Sequence, residues 1–344
     1  MFTSWSTLCW KLSLTAFAVC ITAPMAVFAQ SDAMTAYIDG AIAHVRTRSL
    51  YRSKPNWESV KTEMYKRAKD AKTVEELAPA LKYLLSQVED SHGKFLYKGQ
   101  VIAYYFGEPT ENQKKIDMKF WPRVQGREFP FRSAMLRDKI GYLRIAGLPM
   151  GDNIKMATEI RNAICKLDRQ KAKRWIVDLR YNGGGNIYPM MEGLAPIIGD
   201  ATIGYVSDHD GKLLSTWKIK DADFYYDDYL AADLPTSCSF TKPPKVAVLI
   251  SQYTASSGEA VGVAFKGRPN TRVFGLETAG LITVTDWTAI NTDLTASISI
   301  GYYTDRNRRI YRDFVDPDER IEFAMVEDPE KDDAVIKAVK WLKK

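Results

Sequence analysis

Between Ile140 and Gly275 the chain alternates buried-type strands with helices, and this alternation limits its fold more than any other feature. Ile140-Gly141-Tyr142-Leu143-Arg144-Ile145 reads as a strand and Asn153 to Leu167 as an amphipathic helix. Arg174 to Arg180 is a second strand, followed by a helix from about Tyr188 to Ile197. Val246-Ala247-Val248-Leu249-Ile250 is a third, apolar throughout, and a helix begins near Ser256. Arg272 to Gly275 adds a further short strand. Such strands are covered on both faces, and a parallel pair needs a crossover, usually a helix. The expectation is therefore a layered α/β core with parallel pairing. Two regions alternate as hairpins instead: Ala201 to Tyr226, with Asp210-Gly211 as a turn, and Trp287 to Tyr303.

The flanks differ in character. Lys11 precedes an apolar run from Leu12 to Phe28 that contains Pro24 and ends in Ala26-Val27-Phe28-Ala29. This has the pattern of a secretory signal peptide, residues 1–29, with cleavage expected after Ala29. Residues 30–89 read as a helical subdomain, in which Thr73 and Glu76 form a capping box ahead of Leu77, Leu81, Leu84 and Leu85. Residues 90–344 are assigned to one core unit, closed by an amphipathic helix from Asp332 to Leu342. No later segment is apolar enough for a membrane span, so stable membrane insertion is not expected.

The net charge is +6, and Lys and Arg are interleaved with Asp and Glu rather than gathered into a stripe. Nucleic acid is accordingly not expected as a partner. No Cys/His spacing resembles a metal site, and neither metal nor cofactor is expected. Removing the leader leaves Cys165 and Cys238 in a compartment that permits a disulfide. A buried free thiol at Cys165, on the helix with Ile160 and Ile164, is an equal alternative.

Three features carry chemistry. Tyr253-Thr254-Ala255-Ser256-Ser257-Gly258-Glu259 follows a buried strand and opens a helix, which exposes a hydroxyl beside unpaired helix N–H groups. Taken alone, Ser256 reads first as a helix cap. His92 lies in a Ser-His-Gly turn after a helix, whereas His44 reads as a structural helix residue and His209 as a solvent-facing turn. Gly183-Gly184-Gly185 follows a buried strand and lets the backbone approach a ligand closely.

Taken in order, Asp90-x-His92-Gly93, the Gly141-Tyr142-Leu143 strand, Asp178-Leu179-Arg180-x-Asn182-x-Gly184-Gly185 and Thr254-Ala255-Ser256-x-x-Glu259 resemble the S41 serine peptidases, including tail-specific processing proteases and the tricorn core protease. The resemblance runs from about Asp90 to Asp318 and implies a ClpP/crotonase-like layered core. It implies Ser256 as nucleophile, Ser257 N–H as one oxyanion donor and Gly184 N–H as the second, with Gly185 as the alternate.

Two departures refine it. Tail-specific members carry a lysine base in Gly-x-x-Thr-x-Gly-Lys; here Gly275-Leu276-Glu277-Thr278-Ala279-Gly280-Leu281 ends in leucine, which cannot accept a proton. The tricorn-like branch uses a Ser-His pair, matched by Ser91-His92, so His92 is the expected base. That branch also has an orienting glutamate near the C-terminus; Tyr311 aligns there, and Asp313 is the nearest carboxylate to replace it. The stretch from Gly93 to Lys139 falls below the roughly 50 residues of an ordinary domain, so no PDZ insertion is expected. The resemblance implies an exported, periplasmic or extracellular, serine peptidase acting on peptide or unfolded protein. The alternative is a catalytically inactive peptide- or ligand-binding relative on the same fold.

Overall fold

The computed structural model describes residues 25–344 except 235–237, 239 and 241, with side chains from residue 34 onward. The expected leader lies mainly outside the described residues. Among them, no helix is long and apolar enough to cross a membrane.

Helices α1 (Met25–Arg48), α2 (Trp57–Ala68) and α3 (Ala78–Gln87) form one outer layer. Asn56 caps α2 by accepting the Ser59 N–H at 3.1 Å. Ahead of α3, Thr73 and Glu76 exchange side-chain-to-backbone hydrogen bonds, and the chain enters through one 3-10 turn. The apolar faces of these helices (Val45, Met64, Leu81, Leu84) bury against Phe95, Leu294 and Ile298 of the first sheet.

That sheet is antiparallel and has eight strands: β1 (Lys94–Tyr97), β2 (Gln100–Tyr104), β6 (Ala201–Ser207), β7 (Leu213–Lys220), β8 (Asp223–Tyr226), β9 (Tyr229–Leu230), β12 (Thr283–Ala289) and β13 (Leu294–Asp305). Its order is β2-β1-β13-β6-β7-β8-β9, and β12 also pairs with β13. The second sheet has six strands in the order β14-β11-β10-β5-β4-β3. These are β3 (Arg132–Leu136), β4 (Ile140–Arg144), β5 (Arg174–Asp178), β10 (Lys245–Ile250), β11 (Thr271–Gly275) and β14 (Glu319–Arg320). All its pairs are parallel except β3 with β4. A short helix, α4 (Trp121–Gln125), lies in the connection between β2 and β3.

The parallel strands are apolar on both faces because both are covered. Successive side chains point opposite ways, so Trp175 and Val177 face α5 (Asn153–Arg169), α6 (Ile187–Ile198) and α7 (Ser257–Phe265), which pack in one core with Val206 and Trp217 of the first sheet. Ile176 instead faces α8 (Asp333–Leu342), against Val335, Ala338 and Leu342. The layers thus run α8, second sheet, α5 to α7, first sheet, α1 to α3.

Two long-range links were not fixed by local sequence. Cys165 on α5 is disulfide-bonded to Cys238, across 73 positions, which decides the alternatives left open above. Arg180, buried just after β5, forms ion pairs with Asp178 at 2.7 Å and Asp332 at 2.9 Å. Asp332 also accepts the first N–H groups of α8, from Ala334 and Val335. The Asp178-Leu179-Arg180 sequence is therefore a clamp that ties the last helix to the central strand.

Candidate active site

The two turns that carry the motifs lie at the C-terminal ends of neighbouring parallel strands, β5 and β10, where α/β sheets place ligands. Short polar side chains lace one turn to the other. Ser251 Oγ donates to the Arg180 carbonyl at 2.7 Å, Thr254 Oγ1 to the Leu179 carbonyl at 2.8 Å and Ala255 N–H to the Asn182 carbonyl at 2.9 Å. Ser257 Oγ adds a bond to the Gly185 carbonyl at 2.6 Å. Ser251, Thr254 and Ser257 thus serve as ties between turns.

Ser256 precedes α7 with φ 52° and ψ −118°, a backbone state that costs a non-glycine residue about 1–3 kcal/mol. Its N–H donates to Glu259 Oε2 at 2.8 Å. Glu259 is fully buried and also accepts from Thr278 Oγ1 and the Gly280 N–H. Burial pushes its carboxyl up to about 7, against these donors. The Thr278-x-Gly280 part of the lysine-bearing motif therefore keeps a role here, while Leu281 lines the cleft where the lysine would stand.

His92 sits in the turn between α3 and β1. Its Nε2 is 3.0 Å from Ser256 Oγ, across 164 positions of sequence. Burial, reinforced by the neighbouring charge of Lys94, lowers His92 to about 4, although the Thr283 backbone, as a hydrogen-bond partner, opposes this. The imidazole is thus neutral at pH 7, the state in which Nε2 can accept a proton.

The other expected residues fall differently. Ser91 is exposed and faces a small cavity of about 50 Å³ behind His92 rather than the cleft. Asp313 is exposed, and among the described residues its carboxylate makes no hydrogen bond with His92. The Nδ1 position is taken by Thr283 Oγ1 at 2.9 Å. Tyr311, at the aligned glutamate position, is buried and bonds Asp305 Oδ2 at 3.0 Å. Gly184 also departs from expectation: its N–H donates to Asn182 Oδ1 at 3.0 Å and is already committed. Among the described residues the Gly185 N–H has no such acceptor. Gly184 is nonetheless constrained, since at φ 99° an added Cβ would lie 2.8 Å from Ser256 Cβ.

These groups open into a cleft of about 1180 Å³ that also touches Lys94, Gln125, Trp217 and Trp287. Gln125 of α4 donates to the Gly183 carbonyl at 3.1 Å, fixing the glycine turn from outside the sheet. Arg48 of α1 bridges to Asp286 of β12 at 2.6 Å, so the helical layer contributes one wall. Among the described residues no cluster of His, Cys, Asp and Glu could hold a metal ion. Thr283 and Gln125 carried no local sequence signal, because each gains its role only from a partner far away in the chain.

Comparison with known proteins bears on the family and the fold. A sequence model of Peptidase family S41 matches residues 139–321, more than half of the chain. The nisin-resistance protein of Lactococcus lactis subsp. lactis is 31% identical over 147 residues, 42% of this chain and 44% of that protein. The chain therefore spans less than half of that relative in the matched region. A lipoprotein structure from Streptococcus agalactiae superposes with a TM-score of 0.67 at 22% identity, covering 89% of this chain and 95% of that one. The photosystem II D1 C-terminal processing protease superposes with a TM-score of 0.56 at 15% identity, covering 87% and 95%. At such identities the likeness speaks for the fold.

Proposed function

Because the chain belongs to peptidase family S41, we propose that it is an exported serine peptidase in which His92 acts as general base for Ser256. One observation carries this reading: in a chain that has Leu281 at the lysine position, His92 Nε2 stands 3.0 Å from Ser256 Oγ inside an open cleft. His92 takes the hydroxyl proton as Ser256 Oγ attacks a peptide carbonyl carbon, then returns it to the leaving amine; water repeats the sequence on the acyl-enzyme. The developing oxyanion is received by Ser257 N–H at the start of α7, where the helix leaves its first N–H groups unpaired. Gly185 N–H is the second donor, since Gly184 N–H is spent on Asn182. Losing one such donor typically costs about 10²- to 10³-fold in turnover.

The cleft accommodates several residues of an extended peptide, and peptide or unfolded protein is the substrate class. Export is supported by the leader-like N-terminal sequence and by the description of one structural neighbour as a lipoprotein. The name of the Lactococcus relative makes nisin a rational first peptide to test. The experiment is labelling with a fluorophosphonate, together with cleavage of a peptide library that includes nisin. Labelling is expected at Ser256 and is expected to vanish in Ser256→Ala and to fall at least about 100-fold in His92→Gln. Label retained by Ser256→Ala, or a wild-type protein that neither labels nor cleaves, refutes the assignment.

A further inference from the structure

Thr283, the partner of His92 Nδ1, does not end the chain of hydrogen bonds. Thr283 Oγ1 is 2.8 Å from Ser299 Oγ, and Ser299 Oγ is 2.7 Å from Asp90 Oδ1. Thr283 is 7%, Ser299 0% and Asp90 1% exposed, so these bonds are largely shielded from bulk water, and the three residues border the small cavity behind His92. The three residues come from β12, β13 and the turn after α3. Asp90 is two positions from His92 in sequence, yet it reaches the far side of the imidazole only through two strands of the first sheet. Its other contacts are all N–H donors: Ser299 at 2.8 Å, Gly93 at 2.9 Å and His92 at 3.2 Å. Burial raises the Asp90 carboxyl above its ordinary range, and these donors oppose that shift; a set made of N–H groups suits the ionised carboxylate, which accepts and does not donate. Gly93 permits this approach, because an added Cβ would meet Asp90 Oδ2 at 2.7 Å.

We propose that Asp90, acting through Ser299 and Thr283, is a positioning residue that fixes the tautomer of His92. The direction follows from the carboxylate end. Asp90 can only accept, so the Ser299 hydroxyl donates to it. Ser299 Oγ then accepts from the Thr283 hydroxyl, and Thr283 Oγ1 in turn accepts from His92 Nδ1–H. A neutral imidazole carries one N–H, so Nε2 is left as the acceptor and faces the Ser256 hydroxyl. No proton needs to move along the relay. Its dipoles point their negative ends at His92 and stabilise the imidazolium formed when Nε2 takes the serine proton. This places at Asp90 the orienting role that sequence alignment directed to Asp313, and it rests on the reading of His92 as the base.

Ser299→Ala is the decisive variant, since it touches neither His92 nor the cleft-facing atoms and keeps the backbone bond to Asp90. It leaves the Thr283 hydroxyl without its acceptor, free to turn and donate to His92 Nδ1, which selects the wrong tautomer. Imidazole ¹⁵N spectra of the full-length protein read this directly. Wild-type His92 is expected to be protonated at Nδ1 and unprotonated at Nε2, and Ser299→Ala is expected to populate the reverse form. The rate of fluorophosphonate labelling is expected to fall about ten- to a hundredfold, reaching at most the lower end of what general-base catalysis supplies, because the base is misoriented rather than removed. Thr283→Val is expected to lose as much and Thr283→Ser to recover most of it. The double variant Thr283→Val/Ser299→Ala should be no slower than Thr283→Val alone, because one relay is broken once. A folded Ser299→Ala protein with wild-type tautomer and labelling rate overturns the proposal, as does a wild-type His92 protonated at Nε2. If the tautomer shifts as expected but Ser256 never labels, the relay stands and the peptidase reading is what fails.

Discussion

Titration of His92 gives the sharpest quantitative test of the site. An ordinary histidine titrates near 6.5, and this one is lowered to about 4, first by burial and then by the charge of Lys94. The difference disfavours the folded imidazolium by about 3 kcal/mol. The sign for stability follows from where the proton binds. Between pH 6.5 and 4 the unfolded chain protonates His92 while the folded chain does not, so this group is fully stabilising above 6.5. Its contribution is lost as the pH falls toward 4. Other groups face the same region, including Asp90, Tyr51 and Arg312 around the cavity behind the ring, so the comparison is made between wild type and His92→Gln. The difference in unfolding free energy between the two, from denaturant titrations at pH 7 and pH 4, should shrink by about 3 kcal/mol. In parallel, the Cε1–H resonance of His92 is followed from pH 8 to 3.5; with three histidines in the chain, its loss in His92→Gln identifies it. A midpoint near 4 is expected. Lys94→Met should raise that midpoint while leaving it below 6.5, because burial is the larger cause. A midpoint of 6 to 7, with no pH-dependent difference in stability, would refute the picture of a desolvated, neutral base.

Further outcomes follow from the same geometry. Gly184→Ala should abolish Ser256 labelling while the protein remains folded by circular dichroism, since the new Cβ would crowd Ser256 Cβ at 2.8 Å from a backbone φ of 99°. Replacing Cys165 and Cys238 together by alanine should lower stability by about 4 kcal/mol, the loop-closure value for their separation of 73 residues, measured by urea unfolding. Asp332→Ala removes a partner of buried Arg180 and the cap of α8, and should cost about 3–5 kcal/mol in the same assay. Arg48→Ala, which opens the bridge between half-exposed Arg48 and the largely buried Asp286 at the cleft wall, should change stability by only about 1 kcal/mol. Its effect should appear instead in KM for longer peptides.

The sequence by itself determined the parallel core, its helices and the two turns that hold Ser256 and the glycine triplet. Each follows from local periodicity, as at Trp175-Ile176-Val177 and Val246 to Ile250, or from small residues at strand ends. It also directed attention to His92, because the alternative base position is occupied by Leu281. The tertiary structure decided which atoms meet: His92 with Ser256 across 164 positions, Thr283 with His92 across 191, and Asp90 with Ser299 across 209. It likewise decided that Gly184 N–H is committed to Asn182 and that Asp313 stays at the surface. The reason is physical. Burial pattern and turn chemistry are encoded within a few residues, whereas a hydrogen bond between β12 and β13 depends on strand register and side-chain reach. A threonine or serine on an alternating strand looks the same in sequence whether it faces water, packs in the core or connects a histidine to a carboxylate.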